Sequence, residues 1–178
     1  TVGDGAQVRI EPDGNVTVSS PVVDMGQGTR TMVATVTADA LGVPVGDVEV
    51  RLGDTDVTPY GLGSFGARSS IVAAGGIGKA ATEIQAKVLE IAAHKLEAAV
   101  NDLVIEDGHV HVRGSAGSSL SLKEVAAAAY FRTFELPPGM SSGLSATSVY
   151  EPEGVDHLPD SNGQMNACVS YSNSTHVA

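Results

Sequence analysis

Tryptophan is absent from these 178 residues, aromatics make up 4%, and there is a single cysteine. Cations are scarce as well: 10 Lys and Arg stand against 21 Asp and Glu, a formal charge of −11. Each shortage excludes something. With so few rings, Val, Ala, Leu and Ile must fill the interior. The lone Cys168 cannot form an internal disulfide and fits a reducing compartment, so a cytoplasmic location is expected. Nucleic-acid and anionic-membrane binding rest on cationic patches, which an acidic chain with few Lys and Arg does not offer, so nucleic acid is not expected as a partner. No apolar run reaches the ~18 residues that a membrane span needs. The opening "TVGDGAQVRI" has neither the charged nor the apolar region of a signal peptide. An initiating Met is missing, and the chain stops at "STHVA" without a cap, which points to a piece of a longer protein.

What is present is a globular composition rich in glycine. Hydrophobic residues make up 42%, charged residues 17%, and there are 21 glycines. "QVRIEPDGNVTVSS" reads as a hairpin, with Val8 and Ile10 alternating before "PDGN" and Val16 and Val18 after it. A helical pattern follows from Thr29 to Leu41, gathering Met32, Val33, Val36, Ala40 and Leu41 on one side. "DVEVRLG" is a strand, and residues 53–66 are loop. The longest helix should run from Ala67 towards Val100, with Ile84, Val88, Leu89, Ile91 and Leu96 in one sector and Glu83, Glu90, His94 and Glu97 opposite. Gly75, Gly76 and Gly78 within it suggest close packing against another backbone. "LVIEDGHVHVR" is a hairpin around Asp107-Gly108, and "SLKEVAAAAY" is a helix whose Ser121 and Glu124 can form a capping box. "LSATSVYEP" is a further strand, and the tail from Glu153 is irregular. Strands and helices mix without regular alternation. The expected class is α+β: a two-layer mixed sheet with helices packed on one face.

Two glycine-rich stretches precede helices. In "GLGSFGARSS", Gly61, Gly63 and Gly66 have the spacing G-x-G-x-x-G. A nicotinamide site would need a strand running directly into Gly61 and an acid about 20 residues on at a second strand's end. Here the strand ends near Leu52, and Glu83 falls in a helix. A Walker loop fails too, because Ala73 and Ala80 in "AAGGIGKA" replace the first Gly and the magnesium-binding hydroxyl. What remains is a loop of small residues feeding a helix start, whose unpaired N–H groups attract phosphate or pyrophosphate. Ser64, Ser69 and Ser70 add hydroxyls and Arg68 a cation; the alternative is an ordinary glycine-rich connection. "DMGQGTRT" has the same build, with Gln27 between Gly26 and Gly28 able to offer a donor and an acceptor, or else to be a solvated turn residue.

Other features carry less. His109 and His111 share a strand face but lack a third metal ligand by spacing, so a solvated hairpin is expected. Asp54 and Asp56 start a calcium-loop pattern that then breaks. Cys168 has no local nucleophile signature, and no G-x-S-x-G elbow exists.

"DMGQGTRTMVATVTADALGVP" followed by "VEVRLGDTDVTPYGLGSFGARSS" resembles the cofactor-binding region of molybdenum hydroxylase large subunits, the carbon monoxide dehydrogenase, aldehyde oxidase and xanthine dehydrogenase family. "EDGHVHVRG" and "LPPGMSSGL" bring it nearest to the carbon monoxide dehydrogenase-like branch, and the likeness runs through the whole chain. The resemblance implies that residues 1–178 are part of a molybdenum cofactor-binding domain truncated at both ends. It implies molybdopterin extended by a cytosine dinucleotide, with FAD and [2Fe-2S] on other domains or subunits as partners. It implies that Gly26, Gln27 and Gly28, and the backbone of Ser64, Phe65, Gly66, Ala67, Arg68 and Ser69, surround that cofactor, with Gly66 close to molybdenum and no direct metal ligand. The parent would oxidise a small substrate (carbon monoxide, an aldehyde or an N-heterocycle) with oxygen from water. The family's catalytic glutamate and the branch's active-site cysteine have no match here; Cys168 is not the latter. No catalytic residue is therefore expected in the chain, and it should be inactive alone. The alternative is a free-standing, non-catalytic anion- or nucleotide-binding module of the same fold.

Overall fold

The computed structural model describes residues 3–156 and 158–165. Strands β1 (Asp4–Ile10) and β2 (Val16–Ser20) form the expected hairpin, with Val8 opposite Val18 and Ile10 opposite Val16. Its turn closes where the Gly14 N–H donates to the Glu11 carbonyl and the Asp13 carboxylate accepts from the Asn15 N–H. Helix α1 (Thr29–Leu41) then carries the chain across to β3 (Val48–Leu52), which pairs parallel to β2.

The buried side of α1 is Thr29, Val33, Thr37, Ala38 and Leu41; Met32, Val36 and Ala40 are only half-buried. The face is rotated from the one expected because Thr37 satisfies its own hydroxyl, donating to the Val33 carbonyl at 2.7 Å.

Helix α2 spans Ser69–Leu96, shorter than expected at both ends. Ala67 (φ 58°) and Glu97 (φ 52°) are left-handed, which a run of good helix formers does not announce. Ile77, Ile84, Val88 and Ile91 are buried as α2 packs on α1, β1 and β7. Two of its three glycines meet neighbours: a Cβ on Gly75 would lie 2.2 Å from the Tyr150 ring, and one on Gly76 would lie 3.0 Å from Ala6 of β1. Gly78 faces open space.

A second sheet follows. Strands β4 (Leu103–Glu106) and β5 (His109–Val112) turn at Asp107 and Gly108, both at positive φ. Strand β6 (Ser115–Ser121) adds an antiparallel partner that the Gly- and Ser-rich sequence did not signal. Helix α3 (Leu122–Tyr130) begins with the expected capping box. The Tyr130 hydroxyl donates to the Ile10 carbonyl (2.9 Å) and accepts from the Leu144 N–H (3.1 Å), tying α3 to the first sheet. Strand β7 (Ser145–Tyr150) completes that sheet beside β1, in the order β3-β2-β1-β7, while the second runs β4-β5-β6. The fold is α+β, with a mixed first sheet and helices on its face. Among the described residues, no helix is long and apolar enough to cross a membrane. The described tail is irregular; Cys168 and the "STHVA" end lie outside the described residues.

Candidate cofactor cavity

The glycine loop does not follow a strand. Strand β3 stops at Leu52, and the Asp54 carboxylate turns the chain by accepting from the Asp56 N–H, while its carbonyl accepts from the Thr58 N–H and hydroxyl. A nicotinamide fingerprint thus lacks the strand-to-glycine junction it requires.

Tertiary anchors hold residues 60–68 instead. The Tyr60 carbonyl accepts from the Gly5 N–H at 3.0 Å. Asp4, 0% exposed, accepts from the Leu62 N–H through Oδ1 at 2.9 Å. The same carboxylate receives both ends of the Arg68 guanidinium, Nη1 to Oδ2 at 2.6 Å and Nη2 to Oδ1 at 3.0 Å. Arg68 is 4% exposed, so this pair is a buried, two-pronged bond from β1 to the residue that starts α2. Nη1 also donates to the Gly63 carbonyl at 3.0 Å, and the guanidinium sits 5.1 Å from the centre of the Phe65 ring. Ser64 joins the two glycine stretches: its hydroxyl donates to the Val23 carbonyl (2.9 Å) and accepts from the Val23 N–H (2.7 Å).

These anchors bring the two helix starts to one cavity of about 540 Å³. Gln27, Gly28 and Thr29 line it from α1; Ser69 and Ser70 line it from α2; Ser64, Phe65, Gly66 and Ala67 form the wall between. Neither helix has an acidic residue in its first turn, and neither N-cap residue, Gly28 or Arg68, caps its helix with a side-chain bond to the first-turn backbone. Among the described residues no carboxylate lines the cavity, although the chain as a whole is strongly acidic. Gly26, Gly28 and Gly66 have positive φ, and a Cβ on any of them would meet nothing within 4 Å, so the backbone is open to close approach by a ligand.

The sequence-derived candidates divide. Gln27, Gly28, Ser64, Phe65, Gly66, Ala67 and Ser69 line the cavity, and Gly26 and Arg68 do not. The Arg68 cation, read from sequence as a counter-charge for an anion, is instead committed to Asp4, and what Arg68 offers the site is the backbone that opens α2. The Ser64 hydroxyl is likewise committed to Val23. Gln27 folds back, Oε1 accepting from the Met25 N–H and Nε2 donating to the Val23 carbonyl, which leaves it one lone pair and one N–H. Asp24 accepts from the Arg30 and Gly26 N–H groups, which hold its carboxyl below the usual range. Sequence reasoning missed Met25, Thr29 and Met32 on the lining, and Asp4 as the anchor. The histidines on β5 lie elsewhere: His109 Nδ1 is 2.9 Å from the Asp107 carbonyl, and His111 is 3.9 Å from Glu106. Among the described residues, no three His, Cys, Asp or Glu come together as metal ligands.

At the start of α1 the Asp24 carboxylate already takes the Gly26 and Arg30 N–H groups, whereas the start of α2 brings its first turn to the cavity with no acidic residue in it. The sequence and the fold are similar to those of known proteins. The large subunit of nicotine 6-hydroxylase from Paenarthrobacter nicotinovorans is 36% identical over 148 residues, 83% of this chain and 18% of that protein. The carbon monoxide dehydrogenase large chain of Hydrogenophaga pseudoflava is 38% identical over 149 residues, 84% of this chain and 18% of that one. The crystal structure of quinoline 2-oxidoreductase from Pseudomonas putida 86 superposes with a TM-score of 0.80 at 44% identity, covering 86% of this chain and 19% of that one. The chain thus spans less than a fifth of these relatives. All of residues 1–178 match one family description, and the chain belongs to the molybdopterin cofactor-binding domain family.

Proposed function

We propose that these residues form part of the molybdopterin-binding catalytic subunit of a molybdenum-dependent hydroxylase or dehydrogenase, and that the cavity between α1 and α2 holds the cofactor. The observation that carries this reading is the convergence of two helix N-termini and an open glycine backbone on one cavity without carboxylates. The relatives, large subunits of a hydroxylase and a dehydrogenase, support a catalytic parent over a free-standing binding module. Bound there, molybdopterin, extended by a cytosine dinucleotide, would supply the redox chemistry that transfers oxygen from water to a small substrate such as carbon monoxide, an aldehyde or an N-heterocycle.

The chain's own part is to bind and orient. Gln27 and Gly28 would offer open backbone and the remaining valences of one amide at the start of α1, while Gly26, its N–H taken by Asp24, would shape the loop behind them. Ser64, Phe65, Gly66, Ala67 and Ser69 would form the facing wall, with Arg68 holding it from behind, and Gly66, as the family resemblance implies, would lie close to the metal. The family's catalytic glutamate has no match in these residues, so the piece alone is expected to be inactive. FAD and [2Fe-2S] would sit on other domains or subunits of a cytoplasmic assembly.

The test is metal and pterin analysis of the full-length protein purified from its own host. About one molybdenum and one pterin dinucleotide per subunit are expected, with Gln27→Ala lowering both. Native protein free of both would sink the reading.

A further inference from the structure

We infer that Asp4 and Arg68 are positioning residues for the cavity and act on its occupant through Phe65; this rests on the function proposed above. The pair is more than a bond that stabilises the fold, because of where it ends. Arg68 is the residue from which α2 starts, and its guanidinium lies against the ring of Phe65, which is 57% exposed and lines the cavity.

The guanidinium lies 5.1 Å from the centre of that ring. Phe65 sits between Ser64, fixed to Val23, and Gly66 and Ala67, both left-handed. Its backbone carbonyl accepts from the Arg68 N–H at 3.2 Å, so residues 65–68 form a tight turn with the guanidinium folded over the ring. Asp4 sets the direction of that guanidinium by gripping both of its ends, and the Gly63 carbonyl blocks it from swinging away. The carboxylate itself is immobilised on β1 and further engaged by the Leu62 N–H. A residue on the sheet, 64 positions away, thereby sets the tilt of an aromatic wall and the origin of the α2 N–H groups beside it.

The experiment uses the full-length native protein and reads molybdenum and pterin released over time, at a temperature where circular dichroism shows every variant folded. Asp4→Leu combined with Arg68→Met removes both charges and keeps apolar volume, a replacement that buried pairs tolerate. This variant and Phe65→Ala are each expected to release cofactor about ten-fold faster than wild type, a change equivalent to ~1.4 kcal/mol. Joined in one protein, they should release it no faster than either alone, because both act on one ring. Release at the wild-type rate from the pair variant would overturn the inference, and so would two effects that multiply when combined. Should the pair variant not fold, Arg68→Lys keeps a cation for Asp4 but offers no planar face to Phe65, and carries the same expectation. Wild-type protein that holds no molybdenum or pterin would overturn the function itself, and this inference with it. Loaded wild type with unaffected variants overturns the inference alone.

Discussion

Helix α3 begins at Ser121, whose hydroxyl accepts from the Glu124 N–H while the Glu124 carboxylate accepts from the Ser121 N–H. Helix α2 begins at Arg68, whose side chain reaches back 64 positions to Asp4. Both ends are fixed, but the first device consumes helix donors and places a negative charge beside them. The second fixes the helix from behind, leaving its first turn without an acidic residue or a side-chain cap. The α3 end closes on itself, and the α2 end is anchored by a bond that takes none of its first-turn donors.

The comparison breaks most severely at Asp4. Asp4→Ala leaves the buried Arg68 guanidinium without its carboxylate and should cost ~3–5 kcal/mol in a urea titration; a cost below ~1 kcal/mol would show that α2 does not depend on this anchor. Ser69→Asp sharpens it by giving α2 the acidic first turn that α3 has. Stability without cofactor should rise by ~0.3–1 kcal/mol, while affinity for the cofactor falls by about ten-fold, read as pterin bound across a titration with the released molybdenum-loaded cofactor. Unchanged affinity would mean that the α2 end does not meet an anion. Conversely, Ser121→Ala should cost ~1 kcal/mol of stability and leave molybdenum content untouched.

The smallest effect is in pH. The Ser121 hydroxyl and N–H hold the Glu124 carboxyl below the usual range, as the Arg30 and Gly26 amides do for Asp24. A carboxyl whose folded value lies below its unfolded one contributes stability above the unfolded value and loses it as pH falls through the folded value. Stability should therefore decline on acidification below about pH 4.5, and Glu124→Gln should make that decline shallower in urea midpoints taken from pH 6 to pH 3.

What the sequence revealed follows from the range of the interactions. The capping box at Ser121 and Glu124, the Asp107-Gly108 hairpin and the start of α1 at Thr29 all rest on neighbours within a few residues, and all three could be read directly. Both halves of the cavity were legible as glycine stretches before helices. That they face each other was not, because the bonds that bring them together, Ser64 to Val23 and Arg68 to Asp4, span 41 and 64 positions. The same blindness made Arg68 read as a cation awaiting an anion, when its anion was already in the protein. Strand β6 escaped notice because its Ser- and Gly-rich residues hold their place through pairing with β5 rather than through an apolar pattern.

The pairing of β1 with β7 joins residues such as Gln7 and Thr147, near opposite ends of the described chain. Closing so long a loop carries a higher entropic cost than closing a hairpin, so the β4–β5 ribbon and the self-capped α3 are favoured to form first. The strand that bears Asp4 settles only with that closure, and the anchor of the cavity settles with it. A chain still lacking its first sheet has both glycine stretches but no cavity between them, so on the proposed function the cofactor would enter only after folding.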